Sequence, residues 1–581
     1  MFKDSFKASG ADIDKAIAPG DTVAWARSRL EAFDTQILKT AERIDKGRLG
    51  IPVYISRYTP QASRITGTQK QMGKGATPEQ AEASAVMELV ERFSIFSFVK
   101  DGTRSNQGKF TDIFADIAID WDEFELLPID EMLMAAGLKN ESRCPEALAW
   151  LVSTAMSFKW TKALRPHDGK GFLLPWSWFW PINEYNGSAA GNSLEEAAVQ
   201  AICEVVERHV CSIISRDKLE TPTIDPGSLQ NPVARELVRK FRETGIHLIL
   251  KDFSLGLGIP TVGAIAWDPS TFPRRSEIVY TAGTSTSPER AAIRAITEIA
   301  QLAGDFDTEG RYVESGLPKF SVLEEADYIL RAQSITPINA LPDCSSKNFK
   351  TEIENAALAL RKAGMNTYLI DVTHPDLGIP AVYAIIPGNH FRDRTIKIDP
   401  VFHCARLATL QEDHAEGLSV LHKIDHISSK GRYEVAFYIG HLLERSGRYD
   451  DALHWYDEAI SRGPDPDELA SIHCHKGFCL KQKGEFEMAA VELERSKGLN
   501  PELKETYNLL GYCFYRMGDY IKAIEAFEQA IAIDPGSAID YANIGRNLHL
   551  LGMKKMAALW YEAALELDPD IVWAREQLST I

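Results

Sequence analysis

The chain has 581 residues, 45% hydrophobic and 25% charged, which is the composition of a globular protein too long for a single core. Its 64 basic and 82 acidic residues leave a net charge of −18, which disfavours nucleic acid or an anionic membrane surface as a main ligand. A polyphosphate ligand is compatible with that charge if a divalent metal, held by the chain's own carboxylates, offsets the repulsion.

The first residues, "MFKDSFKASGADIDKAIAPG", contain no apolar signal core, and no run of 18 apolar residues occurs anywhere, so neither secretion nor membrane spanning is expected. The eight cysteines form no CxxC pair, the pattern of reduced thiols. A cytoplasmic protein is expected.

Along the first 425 residues, "LGIP" occurs three times, at Leu49–Pro52, Leu257–Pro260 and Leu377–Pro380, each time opening a strand-like run. The runs are "VYISRY", "TVGAIAW" and "AVYAII", and the last two follow further β-rich stretches, "IHLILKDFS" and "TYLIDVT". Between them lie three helices in one register: "TPEQAEASAVMELVERF" from Thr77, "SLEEAAVQAICEVVERH" from Ser193 and "SPERAAIRAITEIAQLA" from Ser287. Each starts on a hydroxyl cap. Gln80 and Glu196 stand where a capping box places them, and Pro78 and Pro288 occupy the first helical position.

Counted from the cap, the seventh position holds Ser84, Gln200 and Arg294; the eleventh holds Glu88, Glu204 and Glu298; the fourteenth holds Glu91, Glu207 and Gln301. Steps of four and three keep these on one face. The same face is flanked by Ala81, Ala197 and Ala291 and by Ala85, Ala201 and Ala295, which permit close helix approach. One such helix alone reads as a solvated face with internal ion pairs. Three copies in one register read instead as stripes that converge, and five carboxylates brought together need metal ions or protons. Mg2+ suits carboxylate and phosphate oxygens. No Gly-x-x-x-x-Gly-Lys-Ser/Thr loop is present, and "GKG" at Gly73–Gly75 reads as a short basic turn, a plain loop in preference to a phosphate contact through Lys74.

From about residue 432, Gly440, Gly477, Gly511 and Gly545 recur at spacings of 37, 34 and 34. Gly447, Gly484, Gly518 and Gly552 mark turns, Pro464, Pro501, Pro535 and Pro569 close the units, and Tyr456, Phe527 and Tyr561 supply aromatics in the second helix of a pair. The pattern resembles tetratricopeptide repeats, which stack into a surface that receives a peptide or partner protein, or pairs with a second copy. His473 and His475 in "HCHK" point about 200° apart on a helix, which tells against their sharing a metal.

The stretches "GKGATPEQAEASAVMELVER", "YNGSAAGNSLEEAAVQAICEVVERHV" and "GTSTSPERAAIRAITEIAQ" resemble, in order, the Ser-x-x-x-Glu-x-x-Glu-Arg, Gln-x-x-x-Glu-x-x-Glu and Arg-x-x-x-Glu-x-x-Gln motifs of the YcaO family. Members of that family use ATP and Mg2+ to activate backbone amides of peptides. The resemblance covers roughly residues 15 to 425. It implies an α/β, YcaO-like domain of internally repeated strand and helix units over residues 1–425, followed by an all-α tetratricopeptide repeat domain over residues 426–581.

It further implies that Glu88, Glu91, Glu204, Glu207 and Glu298 hold Mg2+, and that Ser84, Gln200, Arg294 and Gln301 contact the nucleotide. Glu88, Glu204 and Arg294 are expected to be catalytic. Arg92 is expected to orient a carboxylate or phosphate, Arg216 to reach phosphate, and Lys15 to make an N-terminal contact. The implied reaction is attack of an amide oxygen on the γ-phosphoryl group after a nucleophile, a side chain or sulfide, has added to the amide carbon. Azoline-forming members often end in Pro-x-Pro-x-Pro, whereas this chain ends in "WAREQLSTI", closer to the stand-alone bacterial members that include an accessory factor for ribosomal protein methylthiolation. The expected partners are a peptide or protein substrate, a protein bound by the repeats and a second copy in a homodimer. A nucleotide-binding adaptor without catalysis is the alternative.

Overall fold

The computed structural model describes residues 2–8, 14–33, 37–45, 47–101, 106–109, 124–137, 146–274, 276, 278–303, 306, 320, 322–332, 334–391, 399–428 and 431–581. Its contacts divide the chain into two compact units, Met1–Cys144 with Ser157–Asp399, and Pro145–Met156 with Pro400–Ile581.

The first unit is built on three hairpin modules. The strands are β1 (Leu38–Arg43), β2 (Val53–Tyr58), β3 (Lys70–Lys74), β4 (Ser188–Ala190), β5 (His247–Asp252), β6 (Thr261–Trp267), β7 (Val279–Thr284), β8 (Tyr368–Asp371) and β9 (Ala381–Ile385). Antiparallel pairing gives β1-β2-β3, β5-β6-β7 and β8-β9-β4. Each middle strand follows an "LGIP". The glycine there takes a left-handed φ of 55° at Gly50, 77° at Gly258 and 62° at Gly378, which a Cβ would oppose. The register is also shared, with Val53 opposite Lys74, Thr261 opposite Thr284 and Ala381 opposite Ala190. Among the described residues, further strands widen the second sheet to five and the third to seven.

A helix follows the last strand of each module: α1 (Pro78–Lys100) after β3, α2 (Leu194–Asp217) after β4 and α3 (Pro288–Ala303) after β7. The third module is therefore assembled from distant parts of the chain, since β4 begins at Ser188 and α2 ends at Asp217 whereas β8 begins only at Tyr368. Thr77 Oγ1 accepts from the Gln80 N–H at 3.3 Å, and Gln80 Oε1 accepts from the Ala76 N–H at 3.0 Å, a variant of the expected capping box that reaches back to the residue before the cap. The second expected box does not close. Ser193 Oγ accepts from the Glu196 N–H at 3.1 Å, but the Glu196 carboxylate turns to the Ala16 N–H (2.8 Å) and to Asn192 Nδ2 (3.0 Å).

Strand and helix approach as closely as small residues allow. A Cβ on Gly73 would lie 2.0 Å from Ala85 N, and one on Gly283 2.4 Å from Ala295 N. The six flanking alanines are fully buried. The opposite faces of the helices enter separate apolar cores, through Val86, Leu89 and Phe93 on α1, Ile202, Val206 and Val210 on α2, and Ile293, Ile296 and Ile299 on α3. "GKG" is thus not a turn: Gly73 and Lys74 end β3.

The second unit is helical: α4 (Pro400–Ala408), α5 (His414–Ile427), α6 (Tyr433–Arg445), α7 (Tyr449–Ser461), α8 (Pro466–Lys483), α9 (Phe486–Leu499), α10 (Lys504–Met517), α11 (Tyr520–Ile533), α12 (Ala538–Leu550), α13 (Lys554–Leu567) and α14 (Val572–Leu578). In each pair from α6 to α13, a glycine admits a large side chain of the second helix: Tyr456 against Gly440, Leu493 against Gly477, Phe527 against Gly511 and Tyr561 against Gly545. The repeat pattern begins at α6, but α4 and α5 pack against α6 and the helix Glu146–Ala155 packs against α5, so the unit starts before the periodicity does. No helix of the described residues is long and apolar enough to cross a membrane.

Candidate functional site

The three modules interlock in a ring. Helix α1 lies along β3 and against β4, α2 along β4 and against β7, and α3 along β7 and against β3. A polar contact marks each junction. Ser188 Oγ on β4 donates to Glu91 Oε1 on α1 at 2.6 Å, the Thr284 N–H at the end of β7 donates to Glu207 Oε2 on α2 at 2.9 Å, and Lys74 at the end of β3 pairs with Glu298 on α3. The polar stripes of all three helices therefore face a shared space.

Five carboxylates line it: Glu88, Glu91, Glu204, Glu207 and Glu298. Their side chains are between 12% and 33% exposed, so they border a cleft that solvent reaches rather than a sealed core. Four cations stand among them. Arg92 pairs with Glu91, lies 3.8 Å from Glu88 and packs its guanidinium 4.2 Å from the centre of the Tyr185 ring. Arg208 lies 3.8 Å from Glu204 and 4.0 Å from Glu207. Arg294 donates to Gln200 Oε1 at 2.6 Å, joining α3 to α2, and Lys74 completes the set.

The ionisation of the cluster follows from this crowding. Burial pushes the Glu91 carboxyl up to about 8; Arg92 opposes the rise, and Glu204 and Glu88 add to it. Burial likewise raises Glu204, against Arg208 and Arg92. Burial and the charge of Arg294 pull the Lys74 amine down to about 8, while Glu88 and Glu207 resist. Five acids and four bases balance when one acid holds a proton. A divalent cation in place of that proton lets all five ionise.

The donor set fits Mg2+, because its donors are hard carboxylate oxygens on side chains held beside Arg92, Arg208 and Lys74. Gln301 Oε1 is also buried without a hydrogen-bond partner among the described residues, as a group awaiting a ligand would be. Ser84 and Gln200 lie one turn before the carboxylates on their stripes, half-buried. Lys15 is at the start of α2, 3.8 Å from Glu196 Oε1, a turn ahead of Gln200 rather than beside the carboxylates. Arg216 is not brought into the cluster. It lies nine residues beyond Glu207, about 13 Å along the helix, where it is exposed and pairs with Asp217 at 2.7 Å. Sequence reasoning passed over Arg208, although it occupies the same helix position as Arg92, and over Ser188 and Tyr185, whose contribution depends on the ring of modules.

Residues 72–390, just over half of the chain, match the YcaO family, described as an ATP- and Mg2+-binding cyclodehydratase, and residues 505–537 and 541–571 match tetratricopeptide repeats. The chain is 26% identical over 398 residues to an uncharacterized protein of Methanothermobacter thermautotrophicus, covering 64% of this chain and 94% of that one. It is 24% identical to the ribosomal protein S12 methylthiotransferase accessory factor YcaO of Escherichia coli, covering 54% of this chain and 56% of the relative. Its fold is similar to that of a heterocyclase in complex with substrate and cofactor, with a TM-score of 0.51 and 21% identity over 67% of this chain and 54% of that one. The chain thus spans about half the length of the last two. With α1, α2 and α3 all inside the matched segment, the chain belongs to the ATP- and Mg2+-binding YcaO family.

Proposed function

We propose that the protein uses ATP and Mg2+ to activate a backbone amide of a peptide or protein, in a cyclodehydration or thioamidation type of reaction. The observation that carries this reading is the convergence of five carboxylates and four cations from three equivalent helices on one cleft. After a nucleophile has added at the amide carbon, the amide oxygen would take the γ-phosphoryl group of ATP, with ADP released, and would then depart as phosphate.

In this reading Glu88, Glu91, Glu204, Glu207 and Glu298 hold the metal. Ser84, Gln200, Arg294 and Gln301, one turn or less away, contact the nucleotide. Arg92 and Arg208 keep their neighbouring carboxylates aimed at the cleft, and catalysis is then mostly positioning and electrostatics. Neither thiol on α2 serves as the nucleophile, because Cys203 and Cys211 are buried and burial pushes both thiols well up. The external nucleophile is a neighbouring side chain of the substrate or sulfide. The helical repeats receive the substrate or a partner, or pair with a second copy.

A second reading, a nucleotide-binding adaptor without catalysis, is favoured by the naming of the Escherichia coli relative as an accessory factor. The two separate in one experiment. The full chain is used to capture proteins from the native cell, and the captured proteins are incubated with it, ATP and Mg2+. A mass change in a captured protein, with ATP hydrolysis that the protein stimulates and that Glu204→Ala abolishes, supports the enzyme. Capture without mass change or stimulated hydrolysis supports the adaptor.

A further inference from the structure

The helical unit contains a second cluster of ligand-type side chains, unrelated to the cleft. His441 and Glu444 on α6 and His475 on α8 hold their donor atoms within 4.8 Å of one another, the one such group of three among the described residues. Local geometry explains how they meet. His441 and Glu444 are three residues apart on one helix face, and His475 and Cys479 are four apart on the facing helix. The two histidines of "HCHK" diverge as their spacing requires: His473 turns to Glu492 on α9, with Nδ1 to Oε2 at 2.6 Å, while His475 turns to α6.

Glu444 is at the centre. Its Oε2 lies 3.0 Å from His475 Nδ1, accepts from Tyr456 Oη at 2.7 Å, and has the Cys479 Sγ at 3.6 Å. His441 Nδ1 is buried with no hydrogen-bond partner among the described residues. Such an atom is costly unless something occupies it. Both imidazoles are braced by aromatic rings, His441 stacked on Phe437 with centroids 6.1 Å apart and His475 beside Tyr456 at 5.7 Å, so they are oriented before any ligand arrives. The two rings meet edge to face at 5.3 Å.

We propose that His441, Glu444 and His475, with Cys479 as fourth ligand, form a structural Zn2+ site that ties the first tetratricopeptide repeat to the second. Two imidazoles, a carboxylate and a thiol are the donor types of four-coordinate zinc, in contrast to the all-carboxylate cleft of the other unit. Zinc bonds of about 2.0–2.3 Å require the donors to draw in by modest side-chain rotations. On binding, the Cys479 thiol proton leaves to solvent and the His475 proton that faces Glu444 is carried on the ring's other nitrogen, so each imidazole binds as a neutral ring with one N–H. The bond set joins α6 to α8, the first helices of successive repeats.

The test uses the full chain, loaded with Zn2+ or Co2+ in excess Mg2+ and freed of unbound metal. Elemental analysis is expected to find a single zinc per chain, and the Co2+ form to show tetrahedral d–d bands with a thiolate charge-transfer band. His441→Gln and His475→Gln are each expected to lower zinc affinity by at least about 100-fold, as loss of a direct ligand exceeds the cost of losing a residue behind one. His473→Gln, two residues from His475 but facing Glu492, keeps the metal, and Cys479→Ser keeps tetrahedral cobalt bands but loses the charge transfer. Zinc retained by all four variants, or a wild-type protein that takes up none, overturns the site. A Co2+ spectrum of the wild type without thiolate charge transfer overturns the fourth ligand whether or not any variant folds.

Discussion

The backbone N–H of Thr284, the last residue of β7, donates to Glu207 Oε2 on α2 at 2.9 Å. One oxygen of a carboxylate assigned to metal binding is therefore also the acceptor that seats one module on the next. The two roles come apart in substitutions. Glu207→Gln retains an oxygen for the Thr284 N–H but loses the charge, so it is expected to keep the melting temperature and lose at least about 100-fold in Mg2+-dependent ATP hydrolysis, the scale of removing one electrostatic stabiliser from an active site. Glu207→Ala leaves a donor unpaired and is expected to cost a further 1–3 kcal/mol of stability, roughly the penalty for an unsatisfied buried group. Thermal unfolding of both variants beside their hydrolysis rates checks the split; equal stability would remove the structural role.

The approach of β3 to α1 is expected to tolerate no side chain at Gly73. A Cβ there would be 2.0 Å from Ala85 N and 2.5 Å from Ala81 O, both backbone atoms that cannot swing away. Gly73→Ala is expected to destabilise the first unit by about 1–3 kcal/mol or more, as other overpacked interiors do. Denaturant unfolding measures it. Gly67→Ala, a surface glycine with nothing within 4 Å but a φ of 71°, serves as the comparison for backbone strain alone.

Acid stability has a named contributor. Asp268, just beyond β6, is 1% exposed, pairs with Arg48 beside the first "LGIP", and accepts from Ser270 Oγ at 2.6 Å and the Ser270 N–H at 2.9 Å. Burial alone would push its carboxyl up, but the hydrogen bonds from Ser270 and Arg48 hold it down at about 2. Because the folded value lies below the unfolded one of about 3.9, the stabilisation is complete above about pH 4 and is lost as pH falls toward 2, a contribution of about 2–3 kcal/mol. Asp268→Asn is expected to flatten the fall in stability over that window. Parallel profiles for the variant and the wild type would assign acid sensitivity elsewhere.

Much of this was legible along the chain because it is local. The caps at Thr77 and Ser193, the shared register of Ser84, Gln200 and Arg294, and the buried alanines beside them follow from helical periodicity. The turn glycines and the glycine under each large side chain follow from a 34-residue repeat. What the sequence withheld is long-range. Nothing local says that β4 and α2 complete a sheet with β8 and β9, or that β3 closes a ring onto α3 and thereby turns Lys74 from a loop residue into the partner of Glu298. The same holds for His475, whose partners His441 and Glu444 come from another repeat. A helix face shows which residues travel together, and only the packing shows what they meet.

The most direct test is Mg2+-dependent ATP hydrolysis by Glu88→Gln, measured beside the wild type with far-UV circular dichroism of both. Glu88 is 33% exposed, the most accessible of the five carboxylates, and its amide replacement removes one charge without removing a buried hydrogen-bond acceptor for the backbone. A spectrum like that of the wild type with hydrolysis reduced by at least about 100-fold is the expected result. Hydrolysis at the wild-type rate by a folded Glu88→Gln would contradict the carboxylate cleft and return the stripe on α1 to an ordinary solvated face.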